Sequence, residues 1–149
     1  MAPPIVEPIG LFVSRQARAL SRAFDNALAE AGGTLPAWLV LASVKGARHG
    51  TQRHVAADVG IESATLTHHL NRMEADGLVT RARDPQDRRA QIVDLTDAGE
   101  REFRSLLGRV QAFDRTLRTG FTDEELSTLR TLLDRLVANA TGEGESDDH

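Results

Sequence analysis

Residues 61–96 read IESATLTHHLNRMEADGLVTRARDPQDRRAQIVDLT, an amphipathic helix, a strand, a charged turn and a second strand in immediate succession. Leu66, Leu70 and Met73 fall at i, i+4 and i+7 and mark one inward face of the helix. At ~100° per residue, Ala64, His68, Asn71, Arg72 and Ala75 point the opposite way, with Thr65 and Thr67 on the flanks. A helix that only faces water is better served by Glu and Lys; this outward face is small or hydrogen-bonding and suits the reading of another polar surface. Gly77 fits a position just past a helix end, where a left-handed residue is needed. Leu78 to Arg81 and Gln91 to Leu95 are short β-prone runs on either side of DPQDRRA, a turn opened by Asp84-Pro85 with Arg88 and Arg89 near its tip.

Upstream lies RHVAADVG, residues 53–60, a short helix whose Val55, Ala56 and Val59 face inward. Gly60 is free to take the positive φ of a tight inter-helix turn, and Ala56 is small enough for close helix packing. This is helix-turn-helix spacing, and the following hairpin adds a wing.

On these residues the chain resembles the multiple-antibiotic-resistance regulator (MarR) family. GLVTRARDPQDRRAQIVDLTDAG, residues 77–99, is similar to that family's wing, and TLTHHLNRMEADGLV, residues 65–79, to its recognition helix. A helix-turn-helix pattern alone is common by chance; joined to D-x-x-D-R-R and V-x-L-T it is a compound signal. The resemblance covers residues 5–140. It implies a mainly α fold with a small β wing: a winged helix-turn-helix core at residues 36–96, dimerisation helices at 8–33 and 97–140, and a disordered acidic tail at 141–149. The implied element order is four helices, two strands and two further helices. It also implies a homodimer with interlocking first and last helices, acting as a repressor released by a small ligand, often an aromatic carboxylate or phenol.

Composition agrees. A chain of 149 residues, 40% hydrophobic and 27% charged, suits one ordinary globular domain. With no cysteine, disulfides, thiol oxidation and thiolate metal sites are excluded. MAPPIVEP lacks both the basic and the apolar segments of a secretion signal, and no run of 18 apolar residues occurs, so a cytoplasmic protein without a membrane partner is expected. The net charge of −4 argues against nucleic acid only until it is divided. Residues 43–91 hold eight basic and six acidic side chains, and four of the five histidines; residues 92–149 hold seven basic and thirteen acidic. The helix and wing therefore attract a polyanion that the C-terminal part repels, which orients the encounter.

In chain order, Pro3, Pro4 and Pro8 predict an extended arm and a helix starting near Pro8. Its apolar series runs from Ile9 and Phe12 to Leu28, and Gly32-Gly33 stops it. A second helix, marked by Thr34 and Pro36, spans Ala37 to Ala47, and Thr51 caps the next. Beyond the wing, Thr96 with Asp97 and Glu100 opens a helix running to Arg118. Gly120 breaks it; Thr122 and Glu125 then form a capping box, and Phe121 and Leu126 a hydrophobic staple. The last helix is striped by Leu126, Leu129, Leu132, Leu133, Leu136 and Val137. Such a stripe is most economically covered by a symmetry mate; a monomeric bundle using it as its own core is the duller reading.

Two recognition helices ~34–36 Å apart would enter successive major grooves of a near-palindromic operator in double-stranded DNA. Ser63 and Ala64 open the DNA-facing side; His68 and Arg72 are expected at base edges, with Thr65 and Thr67 as base or phosphate partners. Asn71 could read adenine, though it lies later along the helix. Arg88 suits the minor groove; Arg89 counts with it among the candidate DNA contacts but, flanked by Asp84 and Asp87, is expected rather to form the ion pair that shapes the turn. His68 stands where the family more commonly carries Arg or Lys, which makes the helix less basic and leaves open whether the imidazole tunes DNA affinity with pH. The ligand that the resemblance implies would find an aromatic wall in Trp38 and Phe12 and polar groups in Arg15 and His54; the stronger reading makes Trp38 a core residue.

No cofactor is expected. Adjacent His68 and His69 diverge by ~100° and cannot share a metal, and a zinc site built from His49, His54 and His69 competes with ordinary packing roles. G-x-S-x-G, Walker A, G-x-G-x-x-G and H-E-x-x-H are all missing from the sequence, so an enzyme is not expected. The rival function is a winged-helix protein-interaction module that no longer binds DNA.

Overall fold

The computed structural model describes residues 6–47 and 49–143. The predicted arm at Pro3 and Pro4 and the acidic tail from residue 144 lie outside the described residues. Six helices and one hairpin follow in the expected order: α1 (Ile9–Ala29), α2 (Leu35–Ala47), α3 (Gln52–Val59), α4 (Ser63–Ala75), β1 (Val79–Arg83), β2 (Gln91–Leu95), α5 (Asp97–Leu117) and α6 (Asp123–Thr141). The described residues form two compact units, one within residues 21–111 and one of residues 6–20 with 112–143. The division falls inside α1 and α5 rather than at their ends.

The unit of residues 21–111 is the winged helix-turn-helix. Its core joins Leu28 of α1, Val40, Leu41 and Val44 of α2, Val55 of α3, Leu66, Leu70 and Met73 of α4, Val79 and Val93 of the hairpin, and Leu106 of α5. Helix periodicity places the α2 to α5 members inward, and each fully buried aliphatic contributes ~1.5–3 kcal/mol of hydrophobic stabilisation. α1 ends at Ala29, earlier than the Gly pair, because Gly32 (φ 77°) turns the chain and the Gly33 N–H reaches back to the Leu28 carbonyl. A side chain at Gly33 would meet Leu106, so this glycine also lets α5 approach. α2 starts two residues before Ala37 because Asp25 Oδ1 accepts the Leu35 N–H at 2.7 Å.

The helix-turn-helix closes through local signals. Thr51 accepts the His54 N–H, and Gly60 takes φ 75° while its N–H caps α3 at Ala56. After α4, Gly77 (φ 75°) reverses the chain and the Leu78 N–H bonds the Met73 carbonyl. β1 and β2 pair antiparallel, with Val79 opposite Leu95, Arg81 opposite Val93 and Arg83 opposite Gln91. Thr51 bridges Ile92, which ties the wing to the start of α3. Thr96 caps α5 by accepting the Gly99 N–H at 3.0 Å.

In the other unit, α6 begins with the expected capping box: Thr122 accepts the Glu125 N–H and Glu125 accepts the Thr122 N–H. The staple is not closed in the same way, since Phe121 remains 53% exposed. None of the α6 residues is buried, and Leu129, Leu132, Leu133 and Val137 lie open with Leu11 and Phe12 of α1.

Candidate nucleic-acid interface

α4 is fixed from beneath by Leu66, Leu70 and Met73, so its opposite side is presented outward. Ser63, Ala64, Thr65, His68 and Arg72 are all exposed there. His69 is half-buried, and its ring centroid lies 6.1 Å from that of His68 at 61°. Among the described residues, no three His, Asp or Glu side chains are grouped to hold a metal ion.

Two of the predicted DNA contacts have partners within the protein. Thr67 is half-buried; its hydroxyl accepts from Gln52 Nε2 at 2.7 Å and donates to the Ser63 carbonyl at 2.9 Å. It thereby ties α3 to α4 and is less available to DNA than expected. Asn71 Oδ1 accepts from Arg81 Nη2 at 2.6 Å. Adenine recognition needs the carboxamide oxygen as acceptor and its nitrogen as donor together, so the engagement of Oδ1 disfavours that reading.

Arg81 itself was missed. Strand periodicity puts it on the same face as Val79, opposite buried Val93, and leaves its side chain 17% exposed. An inward-facing cation requires a counter-charge. Glu74 supplies it, with Nε at 3.2 Å from Oε2 and Nη2 at 3.3 Å from Oε1. Those hydrogen bonds hold the Glu74 carboxyl below its ordinary value. The alternation of VTRAR around a core valine was the available signal.

The wing turn also differs from expectation. Asp84 Oδ1 accepts the Gln86 N–H at 2.9 Å and Asp87 Oδ1 accepts the Arg89 N–H at 3.0 Å. These two Asx turns shape the tip; the ion pair expected between Arg89 and Asp84 or Asp87 is not formed among the described residues. Short aspartates saturate nearby backbone donors before a flexible guanidinium is needed. Arg88 and Arg89 both extend into solvent at the tip.

Two cavities of residues 21–111 are lined by none of the four residues expected around a ligand. Trp38 is buried and stacks on Phe103 with centroids 5.2 Å apart at 13°, a core role. His54 is exposed on α3. Arg15 pairs with Glu7 at 2.7 Å and lies 5.8 Å from the centroid of Phe12, within the other unit. The larger cavity, of about 700 Å³, is lined instead by Asp25, Leu41, His69, Arg72, Met73 and Glu102 among others. No described helix is long and apolar enough to cross a membrane.

Comparison with known proteins places this geometry. The MarR family model matches residues 34–90, from the start of α2 to the wing tip. The HTH-type transcriptional regulator TtmR of Methylorubrum extorquens is 35% identical over 122 residues, which are 82% of this chain and 60% of that protein. The chain thus spans less than two thirds of that regulator's length. Among solved structures, a cysteine-to-serine mutant of MarR from E. coli, complexed with operator DNA, superposes with a TM-score of 0.80 at 25% identity, covering 87% of this chain and 94% of that one. PcaV from Streptomyces coelicolor, in complex with its natural ligand, gives 0.78 at 26% identity, covering 94% and 99%. With the helix-turn-helix, the wing and the flanking helices all present, residues 34–90 carry the MarR family's domain and the chain shares the fold of that family's solved structures.

Proposed function

We propose that this chain is a dimeric, sequence-specific DNA-binding transcription regulator, a repressor relieved by a small ligand. The observation that carries this reading is the exposed polar face of α4 above a fully apolar underside, beside a wing tip whose arginines have no ion-pair partner among the described residues. Thr65, His68 and Arg72 offer donors and acceptors to base edges or phosphates, and Arg88 offers a guanidinium to the minor groove. The DNA-bound MarR from E. coli supports the assignment by similarity.

Dimerisation follows from the exposed leucines of α6, which water alone would leave at a hydrophobic cost of ~25 cal/mol per Å². A second copy covers them under two-fold symmetry and sets two recognition helices against one near-palindromic site. The cavity against His69, Arg72 and Met73 supports ligand control, since an occupant there would touch the recognition helix. Asp25, Asp76 and Glu102 outnumber Arg72 on its lining, which favours a neutral phenol over a carboxylate.

The test is selection of the full chain on a library of genomic DNA fragments, followed by titration of the enriched fragment. The proposal expects an inverted repeat bound by one dimer in a salt-sensitive complex. If no fragment is enriched and low-salt binding is only diffuse, the acidic overall charge instead favours a protein-interaction module.

A further inference from the structure

α4 is seated on Leu66, Leu70 and Met73, and apolar contact is not directional, so it resists lifting far better than rolling. The stripe sets which side of α4 lies inward; within that limit the exact roll is set by bonds with a preferred direction. Two such clamps are present. At the start of α4, Gln52 of α3 holds the Thr67 hydroxyl at 2.7 Å. In its last turns, the Arg81 fork from β1 takes Asn71 at 2.6 Å and Glu74 at 3.2 Å. Asn71 and Glu74 are three residues apart and so share one side of the helix. Arg81 lies on the strand that leads to the wing tip, and its partner residue across the hairpin is Val93, part of the core.

We infer that Arg81 is a positioning residue for DNA recognition: it locks the roll of α4 to the wing, so that helix and wing tip meet their two grooves in one fixed relation. Its charge is spent on Glu74, and it makes no DNA contact of its own. This inference rests on the regulator reading above. A planar fork is needed because one side chain must serve two acceptors on α4; an ammonium carries the charge without that geometry.

Glu74→Gln gives the decisive sign. Removing a negative charge near DNA should tighten binding by Coulomb attraction alone, whereas weakening the clamp should loosen it. Full-length wild type, Glu74→Gln and Arg81→Lys would be titrated with the selected DNA site and with sheared non-specific DNA over a salt series, with thermal melts alongside. The expected result is a loss of roughly tenfold in affinity for the selected site in both variants. The melting midpoint should fall modestly in both variants, because the Arg81–Glu74 pair is partly buried, but non-specific affinity should hold in Arg81→Lys and hold or rise in Glu74→Gln. A merely structural role would lower specific and non-specific affinity together. Tighter binding by Glu74→Gln, or an unchanged affinity in Arg81→Lys, overturns the inference. If wild type selects no site, the regulator reading falls and takes this inference with it.

Discussion

Replacing Arg88 by alanine tests the wing most directly. The guanidinium stands exposed at the tip, while the neighbouring Asp84 and Asp87 carboxylates accept the backbone N–H groups of Gln86 and Arg89 rather than either arginine's guanidinium. It is therefore free to displace a counterion from a phosphate or the minor groove. Each phosphate neutralised contributes ~0.9 to the slope of log affinity against log salt, so a dimer losing two such contacts should have a slope shallower by ~1.8. Over a fourfold rise in salt, from ~50 to ~200 mM, the gap between wild type and Arg88→Ala should narrow by roughly twelvefold. Fluorescence anisotropy on the selected site across that range measures it. Arg22→Ala removes an equal charge from an exposed position on α1 and should leave the slope unchanged. An identical slope for wild type and Arg88→Ala, or an equal fall for Arg22→Ala, would refute a localised wing contact.

Gly99→Ala should destabilise the winged unit by about 2–4 kcal/mol in chemical denaturation, because the added Cβ would collide with the Leu78 carbonyl oxygen, which accepts the Thr96 N–H. Thr122→Ala removes one half of the α6 capping box and should cost ~1 kcal/mol, read as a lower midpoint of unfolding. Glu74 has a folded pKa depressed below its ordinary value of 4.5 by hydrogen bonds from Arg81. Its stabilising contribution is therefore complete above that ordinary value and lost as pH falls through the folded one. Thermal melts in acid should accordingly show a shallower decline for Glu74→Gln than for wild type.

Most of the fold was legible because its determinants are local. The spacing of Leu66, Leu70 and Met73 decides which side of α4 is buried, and that side remains inward whatever the neighbours are. Thr51, Thr96 and Thr122 each bond a backbone N–H three residues ahead, so their roles can be read within one turn. Gly60 and Gly77 serve turns that need positive φ. The exposure of Ser63, Thr65, His68 and Arg72, the set proposed to face DNA, follows from the same periodicity.

What the tertiary structure alone decided are pairings between elements, which depend on register and helix roll rather than on residue type. Gln52 reaches Thr67 across fifteen positions, and Arg81 reaches Asn71 across ten. These bonds engage two side chains that the sequence alone offers to DNA. Trp38 is an aromatic wall or a core residue until Phe103, far along the chain, stacks upon it. The larger cavity likewise draws its lining from Asp25 through Glu102. The sequence by itself determined the elements and their faces, because helix periodicity and capping act within a few residues; only the packed structure decided which polar groups remain free, because hydrogen bonds form between side chains that folding brings together.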